Sequence, residues 1–362
     1  MTWEPERLDD QAQLSAGDPG AMLPAVASAA AQVRTAHRNA GESGVARLAQ
    51  EGRPRAIVVA GMGAAALAGD ILAVLCGYGA PLPVVTVRSG RLPGWVGATD
   101  LVMAVSSSGR TAETLSVATE AARRGSSLLA VTAPDSPLHA IATQASALFV
   151  PVEPTGPSRA NLWGLAVPLV AAADALGLIK AGPDLFEDVA KGLEEMAHRC
   201  RPTSESFVNP GKALAMELAE SVPVLWGATS LTAIAAHRLA LQLHENAKYP
   251  AMWGALPEAG HNQLAVVEGP LAERDIFADT AARTVRLVLL RESDERPLEL
   301  LGIAHDRGVP VTELVAEGAH PLERLATLIE LGDYASVYLA LGYGVDPTPV
   351  AAITELQARI SQ

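Results

Sequence analysis

Short apolar runs alternate with longer stretches of helical spacing through the first half of the chain. The run from Arg55 to Gly61 (RAIVVAG) is bounded by Pro54 and a glycine cluster, which predicts a buried strand. A helix over 64–76 follows, then strands over 83–87 and 100–106 and a helix over about 111–124. Further strands are predicted over 127–133 and 147–152. Strands separated by helices pair in parallel, because only a crossover can return the chain to the same sheet edge. Residues 1–50 have a polar-faced helical pattern, and 159–180 read as one long helix leading out of the first region. The second half repeats the rhythm less clearly. It has a strand over 222–227, a helix over about 231–244 and strands over 284–290 and 309–314. Helices over about 321–341 and 349–360 close the chain. The predicted fold is α/β, with two doubly wound parallel-sheet subdomains and flanking helices, divided near residue 185 into 1–185 and 186–362.

Length supports the division, since 362 residues are long for one hydrophobic core. Apolar residues make up 49% and charged residues 19%, which excludes a disordered chain. Aromatics are only 4%, as suits small side chains packing helices closely on a parallel sheet. Net charge is −13 and no long basic stripe occurs, so general nucleic-acid binding is not expected. A local cationic pocket for an anion stays open. Cys76 and Cys200 form no CxxC pair and read as reduced thiols, and no zinc site is expected. The opening MTWEPERLDD has neither a basic nor an apolar leader region, and the apolar run 162–178 is interrupted by Gly, Pro and Asp. A cytoplasmic protein without a membrane span is therefore expected.

Four constellations could carry chemistry. Gly61-Met62-Gly63-Ala64-Ala65-Ala66 lies between a strand and a helix, where glycines let the backbone approach a phosphate and the helix offers free N–H groups. The same residues also suit a plain tight turn. A dinucleotide enzyme would favour an acid after the second strand, but Arg88 follows it, so only an NADP-type reading survives. Ser106-Ser107-Ser108-Gly109-Arg110-Thr111 also stands between a strand and a helix. Its hydroxyls, helix N–H groups and the Arg110 guanidinium make a compact anion site, compatible with simple helix capping. Glu245-Asn246-Ala247-Lys248 precedes His261-Asn262 by sixteen residues. A carboxylate and an imidazole suit proton abstraction beside a carbonyl, although such groups in polar loops are usually solvated. Pro157-Ser158-Arg159-Ala160 follows the fifth strand, so Arg159 is either a surface cation or one placed to stabilise a developing oxyanion.

Together these stretches resemble the SIS-domain bifunctional phosphoglucose/phosphomannose isomerase family over nearly the full chain. The matching segments are GMGAAALAGD (61–70), SSSGRTAETLS (106–116), PSRANL (157–162), ENAKYPAMWGALPEAGHNQ (245–263) and LGDYASVYLALGYGVDPTPV (331–350). The resemblance implies two SIS-type subdomains and a hexose 6-phosphate substrate, with no metal or other cofactor. It also implies a homodimer with a shared active site. Ser106, Ser108 and Thr111 would hold the phosphate, with Gly63, Ala64, Ala65 and Arg110 beside it. Glu245 would move a proton between C1 and C2, Arg159 would stabilise the cis-enediolate, and Thr348 would line the pocket near the sugar. His261 would assist ring opening, acting from the neighbouring subunit. Three positions depart from the family pattern. Ala64-Ala65 stand where a Ser is usual, Arg110 where Asn is usual, and Glu355 where a Lys is usual. These changes keep a second reading open, a sugar-phosphate-binding SIS protein with little or no isomerase activity.

Overall fold

The computed structural model describes residues 2–50, 52–153, 156–272, 284–292 and 298–360. Packing divides the chain into two units. One runs from Ala27 to Lys191, and the other joins the residues up to Val26 with those from Gly192 onward. The first 26 residues, expected with the first domain, pack in the second unit. The Glu4 N–H donates to the Gly342 carbonyl at 3.0 Å, and Asp9 accepts from the Lys212 ammonium at 3.3 Å.

The N-terminal helical pattern is broken into α1 (Gln11–Gly17), α2 (Met22–Ala27) and α3 (Ala29–Glu42). Two aspartates mark the starts of the first two helices. Asp10 caps α1 by accepting from the Ala12 and Gln13 N–H groups, and Asp18 accepts from Met22 and Leu23. The first unit then continues through β1 (Ile57–Ala60), α4 (Ala64–Cys76), β2 (Val84–Val87) and β3 (Leu101–Ser106). It goes on with α5 (Ala112–Arg123), β4 (Ser127–Thr132), α6 (Pro137–Gln144) and β5 (Leu148–Pro151). After β5 come α7 (Leu162–Ala175) and α8 (Pro183–Arg199), within which the division falls.

The five strands are parallel in the order β2-β1-β3-β4-β5. Val58, Ala60, Val102 and Ala104 pack against Val117, Ala118 and Ala121 of α5 and Leu138 of α6. The alternate residues face the other way, where α4 sits so close that a β-carbon on Gly69 would lie 2.9 Å from Val59. The predicted helix over 159–180 is instead a 3-10 turn at Ser158–Ala160 followed by α7, which is buried along nearly its whole length. Two helices lay outside the expectation. α6 is short and starts at the Ser136 cap with Pro137, and α8 buries Phe186, Val189, Leu193 and Met196 on one face.

The second unit contains α9 (Pro210–Leu218), β6 (Ser221–Gly227), α10 (Ser230–Glu245) and β7 (Met252–Ala255). It continues with α11 (Glu258–Asn262), β8 (Thr284–Arg291), α12 (Leu298–Asp306), β9 (Val311–Val315), α13 (Pro321–Gly342) and α14 (Ala351–Ile360). Its strands are also parallel, in the order β7-β6-β8-β9. The strand β7 is four residues long and set among Pro and Gly, so only its pairing with β6 reveals it. Helix α10 packs against α13 through a buried ion pair, in which the Arg238 guanidinium donates to both Asp333 oxygens at 2.9 and 2.7 Å.

Two positions generate predictions about stability. Gly109 has φ +64, and a β-carbon there would meet the Ser136 Oγ at 2.1 Å. Gly109→Ala is expected to destabilise the protein by about 1–3 kcal/mol, from left-handed strain and overpacking. Urea unfolding checks this, and an unchanged midpoint would refute it. Glu330 on α13 is fully buried, and burial, with Asp333 nearby, raises its pKa well above the ordinary glutamate range. The folded state therefore favours the protonated carboxyl. Above that ordinary range the unfolded chain has released a proton that the fold must take back, so stability falls as pH rises by up to about 1.4 kcal/mol per unit. Glu330→Gln should remove this contribution. Its stability relative to wild type should rise as pH increases above the ordinary glutamate range, and parallel stability curves there would count against it.

Candidate functional site

The strand order of the first unit reverses between β1 and β3, which pair directly with β2 and β4 on their outer sides. A crevice for ligands opens at the carboxyl ends of such strands. The loops that leave these two strands are Gly61-Met62-Gly63 and Ser106 to Thr111, so the two glycine- and serine-rich stretches lie side by side. Gly63 has φ +55 and stands at the N-cap of α4, where no side chain caps the helix and the Ala65 N–H donates to the Met62 carbonyl at 3.1 Å. Thr111 holds the N-cap position of α5, but its side chain does not cap the helix. Its Oγ1 instead lies 3.0 Å from the Ser106 Oγ. The capping alternative is therefore not what these hydroxyls do, and the first N–H groups of α5 are left to an outside acceptor.

The loop is held from below. The Gly109 N–H donates to the Ser106 Oγ at 3.1 Å, and the Gly109 carbonyl accepts from Leu138 at the start of α6. The Arg110 N–H reaches the Ser108 Oγ at 3.3 Å, and both Ser108 and Arg110 are exposed while Ser106 is buried. Arg159 is also buried, at 7% exposure, which overturns the alternative of a surface cation. It sits in the 3-10 turn before α7. Asn161, next in that turn, donates to the Ser107 Oγ at 3.4 Å and ties the Arg159 segment to the serine loop. Asn161 was not singled out in the sequence, because its neighbour Ser107 is 54 residues away. Arg88, the one feature that kept an NADP reading open, is ion-paired with Asp70 of α4.

Glu245, His261 and Thr348 belong to the second unit. Glu245 is the last residue of α10 and half-buried. The Lys248 ammonium joins its segment to that of Thr348, donating to the Asp346 carbonyl at 2.9 Å. Thr348 is half-buried against Gly20, where any β-carbon would clash at 2.2 Å, and its N–H donates to the Asp346 Oδ1 at 2.9 Å. His261 is exposed on the short helix α11, and among the described residues no hydrogen bond joins it to Glu245 or Thr348. Glu355 is exposed on α14 and pairs with Arg359.

The second sheet has its own reversal, between β6 and β8, but there the chain fills the anion position itself. The Glu292 carboxylate accepts from the Thr229 Oγ1 at 2.9 Å at the start of α10, and from Arg324 at 2.6 Å. The first unit thus holds the open cradle. A cavity of about 580 Å³ lined by Arg53, Arg55, Thr99 and Asp100 lies at the opposite, N-terminal edge of its sheet. Among the described residues no group of three or more His, Cys, Asp or Glu could hold a metal ion, and no helix is long and apolar enough to cross a membrane.

Comparison with known proteins agrees with this geometry. Residues 207–360 match the family described as bacterial phospho-glucose isomerase C-terminal SIS domain. The bifunctional phosphoglucose/phosphomannose isomerase of Caldicellulosiruptor bescii is 30% identical over 312 residues, spanning 84% of this chain and 89% of that protein. A protein of the same name from Aquifex aeolicus is 29% identical over 314 residues, 85% of this chain and 91% of its own. The crystal structure of tagatose-6-phosphate ketose/aldose isomerase from Escherichia coli superposes with a TM-score of 0.66 over 88% of this chain and 92% of that chain. At 14% identity that likeness is one of fold. With identity sustained through both units and along most of its relatives' length, the chain belongs to the bifunctional phosphoglucose/phosphomannose isomerase family.

Proposed function

We propose that the protein is a sugar-phosphate isomerase that interconverts glucose 6-phosphate or mannose 6-phosphate with fructose 6-phosphate through a cis-enediol. The observation that carries this reading is the serine loop after β3. It combines a pair of hydroxyls 3.0 Å apart, the buried Ser106 and the half-buried Thr111, with the uncapped N-terminus of α5 at the strand-order reversal. Hydroxyl donors and helix N–H groups together suit a phosphate dianion. The curated relatives carry the name of this activity.

In this reading Ser106, Ser108 and Thr111 hold the phosphate, with Gly63, Ala64, Ala65 and Arg110 at its edge. Glu245 takes the proton from one of C1 and C2 and returns it to the other, while the hydroxyl proton moves between O1 and O2 through the enediol, so the step neither gains nor loses a proton overall. Arg159 balances the negative charge that develops on the enediolate oxygens. His261 serves ring opening, contributed by the second subunit of a homodimer, and Thr348 borders the sugar. The hydroxyl-free start of α4 at Ala64-Ala65 favours a second reading, a binding protein for the same sugar phosphates without turnover.

Two measurements test these assignments. Ser108→Ala should weaken fructose 6-phosphate binding by about 1–3 kcal/mol, the loss of one hydrogen bond to a charged group. Calorimetry that finds unchanged affinity would move the phosphate elsewhere. Glu245→Gln should lower turnover by about 10²–10⁴-fold while affinity stays close to wild type, because Gln preserves the shape but cannot accept a proton. Wild-type protein that binds fructose 6-phosphate yet exchanges no C1 proton with solvent or C2 would leave only the binding reading. Loss of both binding and exchange would remove both.

A further inference from the structure

The segment that carries Glu245 ends in an unusual residue. Lys248 adopts a left-handed conformation, φ +53, two residues past the turn that terminates α10. A non-glycine residue holds that conformation only where its surroundings fix it. The surroundings here are main-chain carbonyls. The Lys248 ammonium donates to the Asn246 carbonyl at 3.1 Å, to Asp346 at 2.9 Å and to Pro347 at 3.3 Å. An ammonium group has three donors, and three carbonyls from two separate segments of this unit receive them. One of those carbonyls follows Glu245 directly, and the other two precede Thr348.

The near end of this strap is itself anchored. The fully buried Asn246 side chain donates to the Ser336 Oγ at 2.9 Å, and that hydroxyl donates to the Asp333 carbonyl of α13 at 2.7 Å. Asp333 holds Arg238 of α10 from the side chain. The exit of α10 is thus fixed to α13 on one side and, through Lys248, to residues 346–348 on the other. A cation at a helix C-terminus also suits the carbonyls exposed there.

We propose that Lys248 is a positioning residue for isomerisation, tying the segment that presents Glu245 to the segment that presents Thr348. The inference rests on the isomerase reading above. Lys248 spends its donors on the protein's own main chain and acts through the placement of the carboxylate. Misplacement of a reacting group by about 1 Å can cost on the order of 100-fold in rate, whereas phosphate binding at the serine loop does not depend on it.

The experiment compares wild type, Lys248→Met and Lys248→Arg, each as the full chain. It measures isomerisation of fructose 6-phosphate, exchange of its C1 proton with solvent or C2, and thermal unfolding. Met keeps the stem and the backbone preference while removing all three donors, and the site is exposed, so folding is retained. Lys248→Met is expected to lower kcat by about 10- to 100-fold with KM changed by less than about twofold. The melting temperature should stay within about 2 °C of wild type, and Lys248→Arg should recover most of the turnover. An unchanged kcat in Lys248→Met overturns the proposal, as does a raised KM with normal kcat, which would make Lys248 a substrate ligand. A turnover loss that follows a large drop in melting temperature, or an Arg variant as impaired as Met, overturns it as well. Absence of isomerisation and exchange in wild type removes the isomerase reading itself, an outcome distinct from these.

Discussion

Every strand in both sheets runs parallel to its neighbours, and this one constraint organises the rest of the molecule. A parallel pair cannot be closed by a tight turn, so the chain returns to the start of the next strand by a crossover, a helix in most cases and an irregular stretch between β2 and β3. All strand exits then lie along one edge of a sheet and all helix N-termini open there. Where the strand order reverses, two neighbouring exits leave in opposite directions and a gap remains between them. In the first unit that gap is bordered by Gly61–Gly63 and by the serine loop, with helix N–H groups of α4 and α5 facing it.

The two units share this geometry and differ in what fills it. In the second, Glu292 reaches the start of α10 and accepts from Thr229 and Arg324, so a carboxylate of the chain stands where an anion would otherwise be drawn. In the first, Thr111 turns its hydroxyl toward Ser106 and leaves the start of α5 uncovered. One architecture thus yields a closed position and an open one, decided by a single acidic side chain at the end of a strand.

Buried polar groups do similar work inside the second unit. Arg238 and Asp333 are both nearly inaccessible, and their doubly hydrogen-bonded pairing fixes α10 on α13 in one register. Removing either partner would strand a buried charge, which is why such pairs specify an arrangement more than they stabilise it. Asn246 and Ser336 extend the same contact to the end of the helix that bears Glu245. Glu330 also feels the Arg238 charge, but burial and the nearby Asp333 outweigh it and push Glu330 toward its neutral form.

The hydrophobic pattern by itself determined the strands β1 to β6, β8 and β9, the helices α4, α5, α10, α13 and α14, and the parallel α/β class. These elements are long or bounded by glycine and proline, and their burial is written in local periodicity. Glycine-serine punctuation after β1 and β3 also marked the cradle, because close backbone approach and free hydroxyls require those residue types at that place. Only the tertiary structure decided the rest. The four-residue β7 exists through its pairing with β6, and the first 26 residues join the second unit through contacts with residues some two hundred and more positions away, such as Lys212 and Gly342. Arg159 became buried, Asn161 met Ser107, and Lys248 reached Asp346 and Pro347 by the same cause. Each depends on partners distant in the chain, and a hydrogen bond between distant residues leaves no period, spacing or composition in the sequence that forms it.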